Sequence, residues 1–339
     1  MRLYRTGEAG FQVRLSEITG RTEAFKKDVE PVVREILEAV RQRGDQALVE
    51  YTQRFDGAIL TSQELKAEAA EVEAAYQEVT EENLNVLKLA AQRIRTFHES
   101  QKQTSWIADV GEGSWAGQLV RPLSRVGAYV PGGKAVYPSS VLMNVIPARV
   151  AGVEEVVLCT PPSSYARLNH YVLVAAHLAG ASAVFKIGGA QAIAAMAFGT
   201  ETVPRVDKVV GPGNIYVTTA KRMVYGQVGI DLLAGPSEVV IVADEKASPQ
   251  CVAADLLAQA EHDEQALAVL VTPVEGLARG VQEELERQLS SLDQSEIARR
   301  ALETMGSIFV VEDLAAAVLL AEEIAPEHLE LLVADPWNL

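Results

Sequence analysis

Lys186-Ile187-Gly188-Gly189-Ala190-Gln191-Ala192-Ile193-Ala194 joins the end of an apolar run to a segment of small residues through two glycines. A strand, a glycine turn and a helix in that order make a βα junction. The turn lets backbone come close, and the helix start offers free amide donors. Arg125-Val126-Gly127-Ala128-Tyr129-Val130-Pro131-Gly132-Gly133 reads the same way upstream, and Val210-Gly211-Pro212-Gly213-Asn214-Ile215-Tyr216-Val217 downstream. Strand-like runs near 126–130, 155–160, 182–186 and 207–210 alternate with helix-like runs near 140–151, 168–178, 190–198 and 214–225. That alternation predicts a parallel, helix-covered sheet. A second set begins at 238–243 and continues with a helix at 250–261, a strand at 267–271, a helix at 275–289, a strand at 308–311 and a helix at 313–323. The expected fold is α/β, with two Rossmann-like lobes on parallel sheets.

Upstream of these sets, residues 31–110 read mainly as helices. Val33, Ile36, Leu37 and Val40 form one stripe, and Leu84, Leu87, Ala91 and Ile94 another behind a Thr80 cap. Residues 1–25 are polar and weakly periodic, and are expected to form an arm that packs on a partner. With 339 residues, 48% of them hydrophobic, the chain is long enough for two domains. A net charge of −16 argues against nucleic acid or an anionic membrane as the main partner. No signal peptide and no apolar run of about 20 residues is evident. Cys159 and Cys251 form no C-x-x-C pair, which fits a reducing cytoplasm.

Three further segments carry chemistry. In Leu257-Ala258-Gln259-Ala260-Glu261-His262-Asp263, Gln259 and His262 are three apart at a helix end, and an amide oxygen and an imidazole can share a divalent metal. Spacing alone fits an ordinary surface or helix-end histidine better. Ala325-Pro326-Glu327-His328-Leu329-Glu330 sets a carboxylate beside an imidazole, a pair able to divide proton transfers or simply to close a helix end. Pro326 predicts an extended Ala325 and a connector for the pair. Asp231-Leu232-Leu233-Ala234-Gly235-Pro236-Ser237-Glu238 puts a hydroxyl in a loop before a strand, where turn formation is the plainer role. There is no G-x-G-x-x-G, so the standard dinucleotide fingerprint is absent.

Taken in order, these motifs resemble the L-histidinol dehydrogenase family from about Gly127 to Val333. The resemblance implies an architecture like that of aldehyde dehydrogenases, with an arm at 1–25, a discontinuous metal and substrate lobe from 26–126 plus 237–339, and an inserted NAD-binding lobe at 127–236. It implies four-electron oxidation of L-histidinol through L-histidinal to L-histidine, the last step of histidine biosynthesis, by a cytoplasmic homodimer with NAD and one zinc per subunit. Tyr129, Gln191 and Asn214 map onto NAD contacts, and Glu327 and His328 onto the catalytic pair. Ser237, Gln259, His262 and His328 map onto substrate contacts, with Gln259 and His262 also zinc ligands. Family members run on past the position of Leu339 with further zinc and substrate residues, so a fragment or a natural truncation is expected, with its metal site and activity open. A related dehydrogenase of another polar alcohol, such as sulfopropanediol, and a non-catalytic binding or assembly module are the alternative readings.

Overall fold

The computed structural model describes residues 1–339 except 133–135, 234–236 and 293–294, and the side chains of 22–28. The chain divides into two compact units, Met1–Lys27 with Gly235–Leu339, and Asp28–Ala234.

The discontinuous unit is built on a parallel sheet of strands β1 (Arg2–Arg5), β9 (Glu238–Ala243), β10 (Leu267–Thr272), β11 (Ser307–Val310) and β12 (His328–Leu332). They lie in the order β1-β11-β10-β9-β12. Alternation along β9 decides which face each residue covers. Val239, Ile241 and Ala243 pack towards α10 (Pro249–Ala260), α11 (Glu275–Leu289) and α12 (Ser295–Thr304). Val240 and Val242 pack towards α1 (Ala9–Thr19) and α13 (Leu314–Ile324). The expected partner-binding arm is instead part of this unit. Leu3 lies opposite Ile308 in the sheet, and the Phe11 ring meets Phe309 edge-on at 5.0 Å. Burial of those apolar residues on their own sheet explains the difference.

The continuous unit carries a second parallel sheet of β4 (Arg125–Tyr129), β5 (Glu155–Thr160), β6 (Ala183–Lys186), β7 (Lys208–Val210) and β8 (Gly229–Ile230), ordered β6-β5-β4-β7-β8. The order reverses at β4, and the carboxyl ends of the strands beside such a switch point are where open α/β sheets place ligands. Val157 and Cys159 of β5 face a core shared with α2 (Arg21–Arg43), α3 (Asp45–Asp56), α8 (Gly189–Phe198) and α9 (Ile215–Val224). Val156 and Leu158 face the opposite core, shared with α4 (Ala69–Glu78), α5 (Glu81–Glu99), α6 (Pro138–Val150) and α7 (His170–Ala179). The helical segment from residue 28 therefore clothes both faces of this sheet. The expected grouping of 26–126 with the part resuming at 237 is not the packing seen. Leu87 and Ala91 find their apolar partners on α6 and α7.

Strands β2 (Trp106–Gly111) and β3 (Ser114–Gln118) form an antiparallel hairpin inside the stretch read as helical. Every residue of both strands is exposed. With neither face buried, the hairpin lacks the alternation that marks a half-buried strand.

Candidate active site

Two groups of side chains stand out, one in each unit. In the continuous unit they gather at the carboxyl ends of the strands. Tyr129 closes β4, is 3% exposed, and accepts a 3.1 Å hydrogen bond on its hydroxyl from the Gly189 amide. Burial pushes its phenol up to about 12, so it stays neutral. Gly189 takes a left-handed φ of 60° where β6 enters α8, and a side chain there would collide with Gln191. Gln191 is 1% exposed, and both its amide atoms are buried without a hydrogen-bond partner. An unpaired buried amide atom costs on the order of 1–3 kcal/mol, so hydrogen bonds from a polar guest would suit Gln191.

The third glycine junction is braced differently. Gly211, at φ 115°, lies so close to β4 that a Cβ would sit 2.0 Å from the Tyr129 carbonyl oxygen. Its amide donates to Asp231 at 2.7 Å, and its carbonyl accepts from Lys221 at 3.0 Å. Lys221 and Asp231 also pair with each other. Asn214 is exposed and caps α9, its Oδ1 accepting from Tyr216 and Val217 amides at 3.1 and 3.2 Å. The side-chain NH2 is what Asn214 has left to offer a ligand.

In the discontinuous unit, His328 opens β12 rather than lying in a connector, and pairs in register with Val239. Its Nδ1 is 3.0 Å from the Glu238 carbonyl oxygen. Glu327 precedes the strand, with its Oε2 3.8 Å from the same nitrogen. Both side chains are more than half open to solvent or close to it, at 50% for Glu327 and 59% for His328. Ala325 is left-handed at φ 49°, not extended, because it closes α13 as its cap. Arg21 grips Glu238 through two bonds of 2.6 Å and also donates to the carbonyls of Ile18 and Ile324. That one guanidinium ties the start of β9 to the helix end leading to Glu327.

Gln259 lies in the last turn of α10, and His262 follows the helix, exposed, with its amide donating to the Gln259 carbonyl at 3.3 Å. Ser237 is half-buried just before β9, and its carbonyl accepts from Leu267 at 3.0 Å. Gly235 and Pro236 of its motif lie outside the described residues. Among the described residues no group of three or more His, Cys, Asp or Glu could hold a metal ion. Gln259 and His262 therefore do not make a zinc centre by themselves.

The family model for histidinol dehydrogenase matches residues 19–339. A histidinol dehydrogenase of Syntrophotalea carbinolica is 54% identical over 339 residues, covering 100% of this chain and 78% of the relative. That of Geobacter sulfurreducens is 49% identical over 340 residues, covering 100% and 79%. The chain belongs to the histidinol dehydrogenase family. It is accordingly an oxidoreductase of histidine biosynthesis. The crystal structure of histidinol dehydrogenase from Elizabethkingia anophelis superposes with a TM-score of 0.87 at 37% identity, covering 100% of this chain and 77% of that one.

Within this member of the histidinol dehydrogenase family, sequence reasoning missed three groups. His328 meets Glu238 through a backbone carbonyl and Arg21 holds the Glu238 carboxylate, contacts that leave no motif. Glu330 shares the His328 face of β12. Burial pushes its carboxyl up, Asp255 adds to the rise and His328 opposes it. Asp56, at the end of α3, was read only as part of a helical stretch. Its Oδ2 is buried and unpartnered.

Proposed function

We propose that this chain oxidises L-histidinol through L-histidinal to L-histidine, with two NAD⁺ as hydride acceptors. The His328 contact to the Glu238 carbonyl at 3.0 Å carries the reading. A carbonyl oxygen can only accept, so Nδ1 of the neutral ring holds the hydrogen and Nε2 keeps a free lone pair. Nε2 is then the base that takes the alcohol proton as hydride leaves the carbinol carbon. Glu327 takes a proton from the water that adds to the aldehyde, and the second oxidation acts on the resulting hydrate.

The continuous unit is proposed as the dinucleotide lobe. Gln191, with two unpaired amide atoms, and Asn214 would hold NAD, while Tyr129 fixes the Gly189 turn. NAD, when bound there, would supply the hydride acceptor for each stage. The discontinuous unit is proposed as the substrate lobe, with Ser237, Gln259, His262 and His328 as contacts. Gln259 and His262 would hold zinc with two donors, and the metal, when bound, would orient the substrate. A cytoplasmic homodimer is part of the same proposal and rests on the family resemblance.

Purified protein given L-histidinol and NAD⁺ should form NADH and histidine. His328→Asn should slow turnover of histidinol about 10²- to 10⁴-fold, the usual share of a general base. Glu327→Gln should slow histidinal oxidation far more than histidinol oxidation. Equal slowing of both stages by both changes would defeat the division of roles, and absence of NADH from either substrate would defeat the activity.

A further inference from the structure

Asp56 is the last residue of α3, and its Oδ2 is buried without a hydrogen-bond partner. Burial alone pushes the carboxyl up to about 6. The acid lies near enough to the Tyr129 phenol to add to the rise in that group's pKa. A Cβ on the adjoining Gly57 would sit 3.6 Å from the Cβ of Ser164, in the segment after β5. The end of α3 is thus beside the carboxyl ends of β4 and β5, on the opposite flank of β4 from β7.

Doubly wound sheets give that flank a defined task. An acid at the end of the strand next to the first commonly accepts the ribose hydroxyls of the adenosine half of NAD. Here β4 is the first strand of its sheet and β5 its neighbour. The residues that follow β5, Pro161-Pro162-Ser163-Ser164, include no acid. Asp56 brings one to the same place from a different element. Gln191, after β6, adds two more unpaired polar atoms to this end of the sheet. A carboxylate accepts hydroxyl hydrogens well and repels a phosphate dianion in the same position.

We propose that Asp56 accepts the adenosine ribose hydroxyls of the dinucleotide and selects NAD over its 2′-phosphorylated form. This assignment rests on the dinucleotide reading of the continuous unit. It adds a specificity residue to that unit which lies far upstream of the three glycine junctions.

Calorimetric titration of the whole chain with NAD⁺, NADP⁺ and NAD⁺ lacking the adenosine 2′-hydroxyl tests it. The unaltered chain should bind NAD⁺ at least tenfold more tightly than either analogue, since one buried hydrogen bond is worth about tenfold in affinity. Asp56→Asn should weaken NAD⁺ about tenfold, spare NADP⁺, and remove the penalty for the missing hydroxyl. Equal affinity of the unaltered chain for NAD⁺ and the deoxy analogue overturns the proposal without any substitution. So does an NAD⁺ to NADP⁺ ratio unchanged by Asp56→Asn. A chain that binds neither NAD⁺ nor NADH defeats the dinucleotide reading itself, a result distinct from the other two.

Discussion

Burying Asp56 with one oxygen unpaired makes the fold itself sensitive to pH. Its folded pKa of about 6 lies above the ordinary 3.8. A group raised in this way stabilises fully below its unfolded pKa, and that stability is lost as pH rises through about 6. Discounted for its partial exposure, the loss amounts to about 1–2 kcal/mol by neutral pH. Asp56→Asn should therefore raise the unfolding temperature at pH 8 and leave it nearly unchanged at pH 4. Melting curves across that range, without dinucleotide, check the sign. A lower melting temperature at pH 8 would show a missing partner for the carboxylate. The part of Tyr129, Gln191 and Asn214 in binding a dinucleotide is proposed; their places at or beyond the carboxyl ends of β4, β6 and β7 were legible because each follows an apolar run. Asp56 was not, because nothing in F-D-G says which strand the helix end will meet.

At the scale of elements, Gly211 and Arg21 hold the working ends of the two sheets in place. Gly211→Ala forces a side chain into the Tyr129 carbonyl at a left-handed φ of 115°. It should cost about 2–4 kcal/mol in denaturant unfolding and weaken dinucleotide binding together. Arg21→Met leaves the Glu238 carboxylate, whose side chain is 12% exposed, without its pair. A loss of about 3–5 kcal/mol is expected, and Arg21→Met with Glu238→Leu should recover most of it. If the double substitution is no more stable than the single one, the ion pair is not what Arg21 contributes. The main strands were readable because parallel strands covered on both faces are apolar throughout, as in Val156-Val157-Leu158-Cys159. Arg2-Leu3-Tyr4-Arg5 and His328-Leu329-Glu330-Leu331-Leu332 are edge strands, partly open and mixed in polarity, so they carry no such run.

For the whole molecule, Gln259 and His262, the two residues proposed to meet zinc, are too few by themselves to hold the metal tightly. The chain of 339 residues should lose added zinc on gel filtration, and metal analysis should find well under one ion per chain. One retained zinc per chain would mean that other donors complete the site. Sequence order gave two alternating sets correctly but not the owner of the helices before them, since an apolar stripe does not state which sheet it will cover. The pairing of β1 with β11 has a consequence for synthesis. Arg2 has Ser307 as its partner in the sheet, so β1 waits for a strand made about 300 residues later. At roughly 5–20 residues per second, that wait is on the order of 15–60 s on the ribosome. The intervening unit can bury its own cores in that time, while Leu3, Tyr4 and Phe11 lack the sheet residues they pack on. Until β11 exists, that stretch stays open to non-native contacts.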